Sequence, residues 1–138
     1  MCCAAFRNNY LYSDLAEADF LRQYKKLLDV LRPELLIVAE QRLETVGFVF
    51  AVPDLLRETC GLPLDTFIIK TVAILPRREL SGLGAVLVGE AQQLGAEMGF
   101  RRCIHALMQM GNMLARNISS AYAEPIRTYT LFAKDLPA

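Results

Sequence analysis

Residues 72–85, VAILPRRELSGLGA, hold the pattern that decides the fold. A β-branched apolar run ends at a proline, a short basic loop follows, and Gly82 and Gly84 open a long helical pattern. The first amides of a helix lack intrahelical acceptors and lie at the positive end of its dipole, and glycine lets a ligand approach the backbone. The stretch therefore predicts a strand, an anion-binding loop and a helix, with Arg77 and Arg78 adding charge at the rim.

Two glycines at this spacing also fit a tight strand-to-helix turn beside a solvated arginine pair, and the residues alone leave both interpretations open. The sequence contains no GxxxxGK[ST] pattern, which excludes a P-loop. It contains no GxGxxG followed about 20 positions later by an acidic residue, which disfavours a dinucleotide site of the Rossmann type. The loop is thus either a structural turn or an anion site of another class.

Periodicity on both sides of this stretch predicts a mixed α/β chain. The first two strands are predicted to form an antiparallel hairpin with a polar loop of about five residues. The predicted elements are, in order, a helix over residues 16–31, strands over 35–39, 46–52 and 66–75, a helix over 82–98, a strand over 101–107, a helix over 112–122 and a strand over 126–133.

The same stretch resembles the acetyl-CoA-binding motif of the GNAT superfamily of N-acetyltransferases. In that motif a strand ends near a proline and leads into Arg/Gln-x-x-Gly-x-Gly/Ala and a helix. Pro76, Gly82 and Gly84 match it, whereas Glu79 occupies the position of the arginine or glutamine. A carboxylate beside a pyrophosphate is unfavourable unless it points away from it.

The resemblance continues downstream and covers roughly residues 35–134, including the order of the elements. Asn112, Ala115 and Ile118 match a helix that often carries Asn-x-x-Ala and a following aliphatic residue. Ser119 stands where the family often has a tyrosine, and Tyr122 follows about one turn later. Glu79 and Ser119 are thus two departures from the family pattern.

The resemblance implies a GNAT-like α/β (α+β) fold, a mixed and mostly antiparallel sheet with helices on both faces. It implies one acyl-CoA N-acyltransferase-like domain over residues 1–138, with short or incomplete N-terminal elements. It also implies transfer of an acetyl group from acetyl-CoA to a primary amine of a small molecule or peptide. The residues that it places against acetyl-CoA are Val72, Ile74, Leu75, Arg77, Arg78, Leu80, Ser81, Gly82, Leu83, Gly84, Ala85 and Asn112.

Three side chains are candidates for proton transfer in such a reaction. Tyr122 and Tyr129 are candidate acids for the departing thiolate; the alternative is that Tyr122 packs on a helix face and Tyr129 is buried in a strand. Glu40, near the end of a strand, is a candidate base, directly or through water; the alternative is a solvated carboxylate in a turn. Asp65 offers the same two interpretations, and Asn112 is a helix cap, a cofactor contact or both.

His105 is the only histidine and lies in an apolar strand two residues after Cys103. One histidine cannot form a multi-histidine metal site, so no metal is expected. A bonded histidine in the core or a pocket wall is one interpretation, and a catalytic base is the other. A Cys103–His105 nucleophile pair is a third functional hypothesis, although cysteine in a buried strand is usually inert packing.

The amino-acid composition limits the classes of binding partner and the cellular compartment that we expect. Fifteen basic and fifteen acidic residues give no net charge, which disfavours nucleic-acid binding, although residues 1–69 are net acidic and residues 70–138 net basic. No apolar run reaches the length of a membrane helix, and four cysteines without a pairing pattern suggest reduced thiols in the cytoplasm. A mean hydropathy of +0.27 favours a covered surface, as in a homodimer. The alternative to an enzyme is a catalytically inactive GNAT-fold module that binds acyl-CoA or a partner protein, which Glu79 and Ser119 favour.

Overall fold

The computed structural model describes residues 1–7, 9, 12–25, 28, 31–109, 111–121 and 123–135. In these ranges the chain forms helices around one sheet. The helices are α1 (Cys2–Phe6), α2 (Glu17–Lys25), α3 (Leu55–Thr59), α4 (Leu83–Glu97) and α5 (Met113–Ser120), and the strands are β1 (Leu36–Gln41), β2 (Glu44–Pro53), β3 (Thr66–Ile74) and β4 (Arg102–His105).

The sheet has the strand order β1-β2-β3-β4 and is mostly antiparallel. The first two pairings are antiparallel, and β3 pairs with β4 in parallel. Parallel neighbours need a crossover between them, and α4 lies in that connection. The mixed, mostly antiparallel sheet expected from the sequence is confirmed.

Helices pack on both faces of the sheet. On one face, α4 contributes Leu87 and Val88 to a buried cluster with Val49 of β2 and Phe67 of β3. On the other face, the ring of Tyr24 in α2 lies edge-on to Phe50, with 5.9 Å between the ring centroids. Adjacent residues of a strand point to opposite faces, so β2 divides its apolar side chains between the two helical layers.

The β1–β2 connection is shorter than predicted. Glu40 pairs with Thr45 inside the ladder, and only two residues, Arg42 and Leu43, form the turn. Both have positive φ, 50° and 65°, the backbone that matches strand twist in a two-residue hairpin turn. Because neither residue is glycine, asparagine or aspartate, the sequence lacks the usual signal for this turn, and the prediction of a five-residue loop was wrong.

The strand predicted over residues 126–133 does not form. In the described part of the chain, residues 123–135 are irregular and exposed, with Leu131 85% and Phe132 93% accessible. The alternating pattern supplies strand propensity, but a strand also needs a partner that offers backbone hydrogen bonds, and these residues pair with none that the structure describes.

The remaining boundaries follow local signals. α4 lies within the predicted range 82–98. Of the helix predicted over residues 16–31, α2 covers Glu17–Lys25, Leu28 and Leu31 are not helical, and residues 26, 27, 29 and 30 lie outside the described residues. α1 was not predicted. None of the helices described is long and apolar enough to cross a membrane.

Candidate functional site

β3 and β4 separate after a short stretch of pairing, which opens a gap in the sheet. Their register ends at Ile69 and His105, and the Ala106 N–H donates to the Ile69 carbonyl at 3.2 Å. β3 continues to Ile74 beyond this point. Lys70 has no partner in β2, because Phe50 opposes Thr71 and the next residue of β2 opposes Ile69. Such a bulge bends its strand, so the extra residue coincides with the separation of β3 from β4.

The gap exposes backbone groups of β3. The Leu75 N–H donates to the Val46 carbonyl of β2 at 2.9 Å, so this residue faces β2. Backbone groups alternate in direction along a strand, and the register of β2 with β3 is regular from Thr71 onward. The N–H and C=O groups of Ile74 and Val72 therefore point away from β2, into the gap.

A cavity of about 1400 Å³ extends from this gap to the start of α4. Its walls come from α1 and α2, the edge of β3, the end of β4, the loop before α4, and α5. Of the predicted acetyl-CoA contacts, Leu83 and Ala85 are not in its lining. The ten that line it are Val72, Ile74, Leu75, Arg77, Arg78, Leu80, Ser81, Gly82, Gly84 and Asn112.

The start of α4 presents free amide hydrogens to this cavity. Gly82 is the N-cap with a φ of 89°, a left-handed conformation that glycine adopts without strain, and no side chain caps the helix. The amides of Ala85 and Val86 donate to the Gly82 carbonyl, so those of Leu83 and Gly84 precede the first intrahelical acceptor. A helix start with these properties can hold an anion.

The two glycines have different roles. A Cβ on Gly82 would meet no atom within 4 Å, so the space above it is open. A Cβ on Gly84 would lie 3.2 Å from Cδ1 of Ile118, so this glycine lets α5 pack closely on α4. Gly82 therefore leaves room for a ligand at the start of α4, and Gly84 serves helix packing.

The two arginines of the loop also differ. Arg77 forms a bidentate ion pair with Glu44 at the start of β2, with Nη1–Oε2 and Nη2–Oε1 distances of 2.8 and 2.5 Å. This guanidinium lowers the pKa of the Glu44 carboxyl. Arg78 takes part in no ion pair with any described residue. Both arginines line the cavity as predicted positions, but a carboxylate compensates the charge of Arg77, whereas Arg78 has no such partner among the described residues. Glu79 is exposed and absent from the cavity lining, so it places no carboxylate against the anion site.

A hydrogen-bonded chain of side chains reaches the cavity wall at His105, Met108 and Ser119. Nδ1 of His105 is 2.8 Å from Oγ of Ser119, and Nε2 is 3.1 Å from Nε2 of Gln92. The Ser119 hydroxyl donates to Sδ of Met108 at 3.2 Å. Burial lowers the pKa of His105, which favours the neutral imidazole. The chain joins α4, β4 and α5, so no local spacing in the sequence indicates it.

No family model and no curated protein matches the sequence. The solved structures that are similar to it include three acetyltransferases. An aminoglycoside antibiotic 6'-N-acetyltransferase AAC(6')-IG from Acinetobacter haemolyticus, in the apo state, superimposes with a TM-score of 0.66 at 16% identity, covering 97% of this chain and 90% of that one. AAC(6')-Iy in complex with the bisubstrate analogue CoA-S-monomethyl-acetylneamine gives a TM-score of 0.64 at 15% identity, covering 91% and 85%. A GNAT family acetyltransferase from Brucella melitensis, in complex with acetyl-CoA, gives 0.57 at 25% identity, covering 79% and 66%.

The chain has a GNAT-like fold. These three structural neighbours are acetyltransferases. The expectation of a GNAT-like architecture is thus confirmed.

The candidate acids and bases of the sequence do not gather in the cavity. Tyr122 lies outside the described residues. Tyr129 is 66% exposed, accepts a 3.3 Å hydrogen bond from Arg127 and is not in the cavity lining. Glu40 is exposed within β1 and is likewise not in the lining. Asp65 forms an ion pair with Arg57 at 3.1 Å, which gives it a structural role.

Cys103 does not form a nucleophile pair with His105. Its thiol is half-buried beside the core cluster and is not in the cavity lining. Burial raises the pKa of Cys103 to about 11, whereas a nucleophilic cysteine needs a lowered pKa. Both ring nitrogens of His105 face Gln92 and Ser119. The geometry gives the cysteine-enzyme hypothesis no support.

Proposed function

We propose that this protein transfers an acetyl group from acetyl-CoA to a primary amine of a small molecule or peptide. One observation carries the proposal: a gap beside β3, lined by backbone groups of Val72 and Ile74, leads to the uncapped start of α4. Amide-bearing chains bind strand edges through backbone hydrogen bonds, and pyrophosphates bind helix starts. Acetyl-CoA has both groups joined in one molecule, so these residues fit it.

Within this proposal each element has a chemical task. Val72 and Ile74 hydrogen-bond the pantetheine arm, and an amide near Ile74 polarises the thioester carbonyl. The amides of Gly82–Gly84 hold the pyrophosphate, and Arg78 supplies charge at the rim. Acetyl-CoA supplies an activated acyl group, and the amine attacks its carbonyl directly. The complexes of two neighbours, one with acetyl-CoA and one with a CoA-based bisubstrate analogue, support this assignment.

The cavity also favours an acceptor with few positive charges. Among the described residues that line it, the only carboxylate is that of Glu17. The cationic side chains of Lys70, Arg77 and Arg78 line it as well, and only that of Arg77 is paired with a carboxylate among the described residues. A polycationic acceptor would meet more repulsion than attraction here, so a monoamine suits the site better than an aminoglycoside.

Three further expectations remain predictions. The chain forms a single domain over residues 1–138, works in the cytoplasm and associates as a homodimer. The four cysteines, Cys2, Cys3, Cys60 and Cys103, are free thiols, which fits a reducing compartment. The exposed apolar side chains in residues 126–132 offer a surface that a second copy can cover.

Acetyl-CoA binding by two matched variants tests the proposal. Gly82 and Gly99 lie at the two ends of α4, with φ values of 89° and 91°, and a Cβ on either meets no atom within 4 Å. Gly82→Ala and Gly99→Ala therefore carry a similar backbone strain, about 1–2 kcal/mol. Only Gly82→Ala places a methyl group at the anion site.

Acetyl-CoA at 100 times its dissociation constant should stabilise the wild-type protein and Gly99→Ala by about 2.7 kcal/mol in thermal unfolding. Gly82→Ala should lose most of this stabilisation. Thiol release from acetyl-CoA is then measured with 2-phenylethylamine, spermidine, an aminoglycoside and a lysine-containing peptide. Equal stabilisation of both variants contradicts the anion site. Binding without thiol release from any amine supports the inactive acyl-CoA-binding module instead.

A further inference from the structure

The chain of side chains from Gln92 through His105 to Ser119 has no role in the function proposed so far. We propose that Ser119 and His105 form a proton relay that takes the proton released by the attacking amine. The inference rests on the proposed acetyl transfer and names the proton acceptor that the candidates Tyr129 and Glu40 do not supply from their positions outside the cavity.

Position is the first argument. His105 is the last residue of β4, and the next residue, Ala106, makes the last hydrogen bond to β3 before the gap opens. Ser119 and His105 both line the cavity, next to the β3 edge proposed to hold the thioester arm. Ser119 is 9% exposed, so its hydroxyl lies in a largely water-free wall. A group that receives a proton during acetyl transfer must lie in the same cavity as the reacting atoms, and this pair does.

Hydrogen bonding is the second argument. A serine hydroxyl accepts a proton from a bound amine only if its own proton can move to a base, and Nδ1 of His105 is 2.8 Å from Oγ of Ser119. The Ser119 hydroxyl, which donates to Sδ of Met108, must turn its hydrogen to Nδ1 for this transfer. For this transfer Nε2 of His105 must carry the hydrogen and donate it to Gln92. The side-chain amide of Gln92 satisfies Nε2 in either orientation, because its nitrogen donates and its oxygen accepts. With the oxygen turned to the ring, Gln92 also stabilises the imidazolium.

The proton balance closes without another reactant. The amine nitrogen forms a bond to the thioester carbonyl carbon and loses a proton to Oγ of Ser119. The Ser119 hydroxyl proton moves to Nδ1 of His105, and the carbon–sulfur bond breaks with its electron pair on sulfur. The imidazolium then returns a proton through Ser119 to the thiolate. Amide and free thiol are the products, and both side chains regain their starting state.

The electrostatic surroundings suit a base. Burial is the cause of the lowered pKa of His105, so the ring is neutral and able to accept a proton near neutral pH. The ionisable side chains on the neighbouring strands are Arg102 and Cys103 on β4 and Lys70 on β3. Arg102 and Lys70 are exposed, and Cys103 is a neutral thiol because burial raises its pKa. None of the three supplies a negative charge that would hold the imidazole protonated.

Two variants and one matched control test the relay. Ser119→Ala removes the hydroxyl, and His105→Asn removes the base while keeping a polar side chain. Ser120→Ala is the control, because Ser120 is the exposed neighbour on α5 and its hydroxyl donates to the Asn117 carbonyl at 3.4 Å. We expect kcat to fall about 100-fold or more in each relay variant, with acetyl-CoA affinity unchanged, and to stay at the wild-type value in Ser120→Ala.

Combination and pH dependence separate a relay from a structural role. Because the two residues act as a unit, the double variant should be no slower than either single variant. With O-methylhydroxylamine as acceptor, whose nitrogen is an uncharged NH2 group near neutral pH, the wild-type rate should decrease as the pH falls below an apparent pKa that is lower than the ordinary histidine value. This acidic limb should disappear in His105→Asn.

The single histidine provides a readout independent of turnover. The imidazole signal of His105 in proton NMR should shift when CoA is added to the wild-type protein, and its titration should change in Ser119→Ala. No shift on CoA binding, or relay variants that behave like Ser120→Ala in rate and pH profile, overturns the relay alone. Failure of the wild-type protein to bind acetyl-CoA overturns the proposed function and the relay with it. If binding occurs without transfer to any amine, the relay also falls.

Discussion

Replacing either of two glycines of α4, Gly95 or Gly89, by alanine should have opposite effects on the stability of the protein. A Cβ on Gly95 would lie 2.5 Å from Cε1 and 2.7 Å from Cζ of Phe67, whereas a Cβ on Gly89 would meet no atom within 4 Å. Non-bonded carbon atoms prefer separations of about 3.5–4.0 Å. Gly95→Ala therefore requires a movement of about 1 Å between the helix and a side chain that is only 2% exposed and packs against Phe100.

The magnitudes follow from these contacts. Overpacking a filled core costs about 1–3 kcal/mol, and an overlap of this size lies in the upper part of that range. Alanine regains about 1 kcal/mol over glycine inside a helix. Gly95→Ala should thus destabilise the protein by about 1–2 kcal/mol, and Gly89→Ala should stabilise it by about 1 kcal/mol. In a chain of this length, 1 kcal/mol corresponds to about 3–4 °C in Tm.

Thermal and urea unfolding of the two variants measure the effect. Gly95→Ala should unfold about 3–7 °C below the wild-type protein, and Gly89→Ala about 3 °C above it. Combining Gly95→Ala with Phe67→Leu should reduce the penalty, because the shorter side chain vacates the overlapping space. If Gly95→Ala raises Tm as Gly89→Ala does, α4 does not lie against Phe67 at the described distance, and the placement of the anion site at its N-terminus loses its support.

Three further predictions concern single side chains. Arg78→Ala should weaken acetyl-CoA binding about tenfold, and Arg77→Ala should weaken it much less, because the Glu44 carboxylate already compensates the charge of Arg77. Titration calorimetry measures both affinities, and equal losses would contradict this prediction. Iodoacetamide should alkylate Cys103 far more slowly than Cys60, since burial raises the pKa of Cys103 to about 11; peptide mass spectrometry measures both rates, and similar rates would show that Cys103 is accessible. Because the pKa of His105 is lowered in the folded protein, the imidazole binds a proton more tightly in the unfolded chain. The free energy of unfolding should therefore be highest above about pH 6.5 and decrease as the pH drops below that value. His105→Asn should flatten this fall in urea unfolding between about pH 5 and 8, and an unchanged slope would assign it to other groups.

Local patterns predicted the part of the fold that local interactions determine. The periodicity of residues 82–98 locates α4, and the apolar runs over residues 35–39, 46–52 and 66–75 locate β1, β2 and β3 to within a few residues. The turn at Arg42 and Leu43 was missed because the ladder around it, rather than residue preference, imposes its positive φ values. The prediction of a final strand over residues 126–133 was wrong for a related reason. Alternation is a property of the segment itself, whereas strand pairing depends on a partner elsewhere in the chain.

The same distinction between local and long-range interactions applies to the candidate site. The residues of the candidate anion site lie within one continuous stretch ending at Gly84, so a single sequence pattern could propose them together. Gln92, His105 and Ser119 come from three elements, and only packing of α4, β4 and α5 brings them within hydrogen-bond distance. Ser119 was noted as a departure from the family pattern and His105 as a pocket-wall or catalytic candidate, but nothing in the sequence joined them. No sequence pattern indicated the ion pair in which Glu44 compensates the charge of Arg77.

At the bulge in β3, the protein should tolerate substitution of Lys70 but not its deletion. Lys70 is exposed, and replacing its side chain disturbs no core contact. Its backbone, however, sets the register between the two halves of β3: Phe67 and Ile69 before it and Val72 and Ile74 after it all pack on the α4 side. Removing one residue would turn one of these pairs to the opposite face, because side chains alternate with a period of two. Homologous chains should therefore vary freely in residue type at this position while keeping the length of the strand constant.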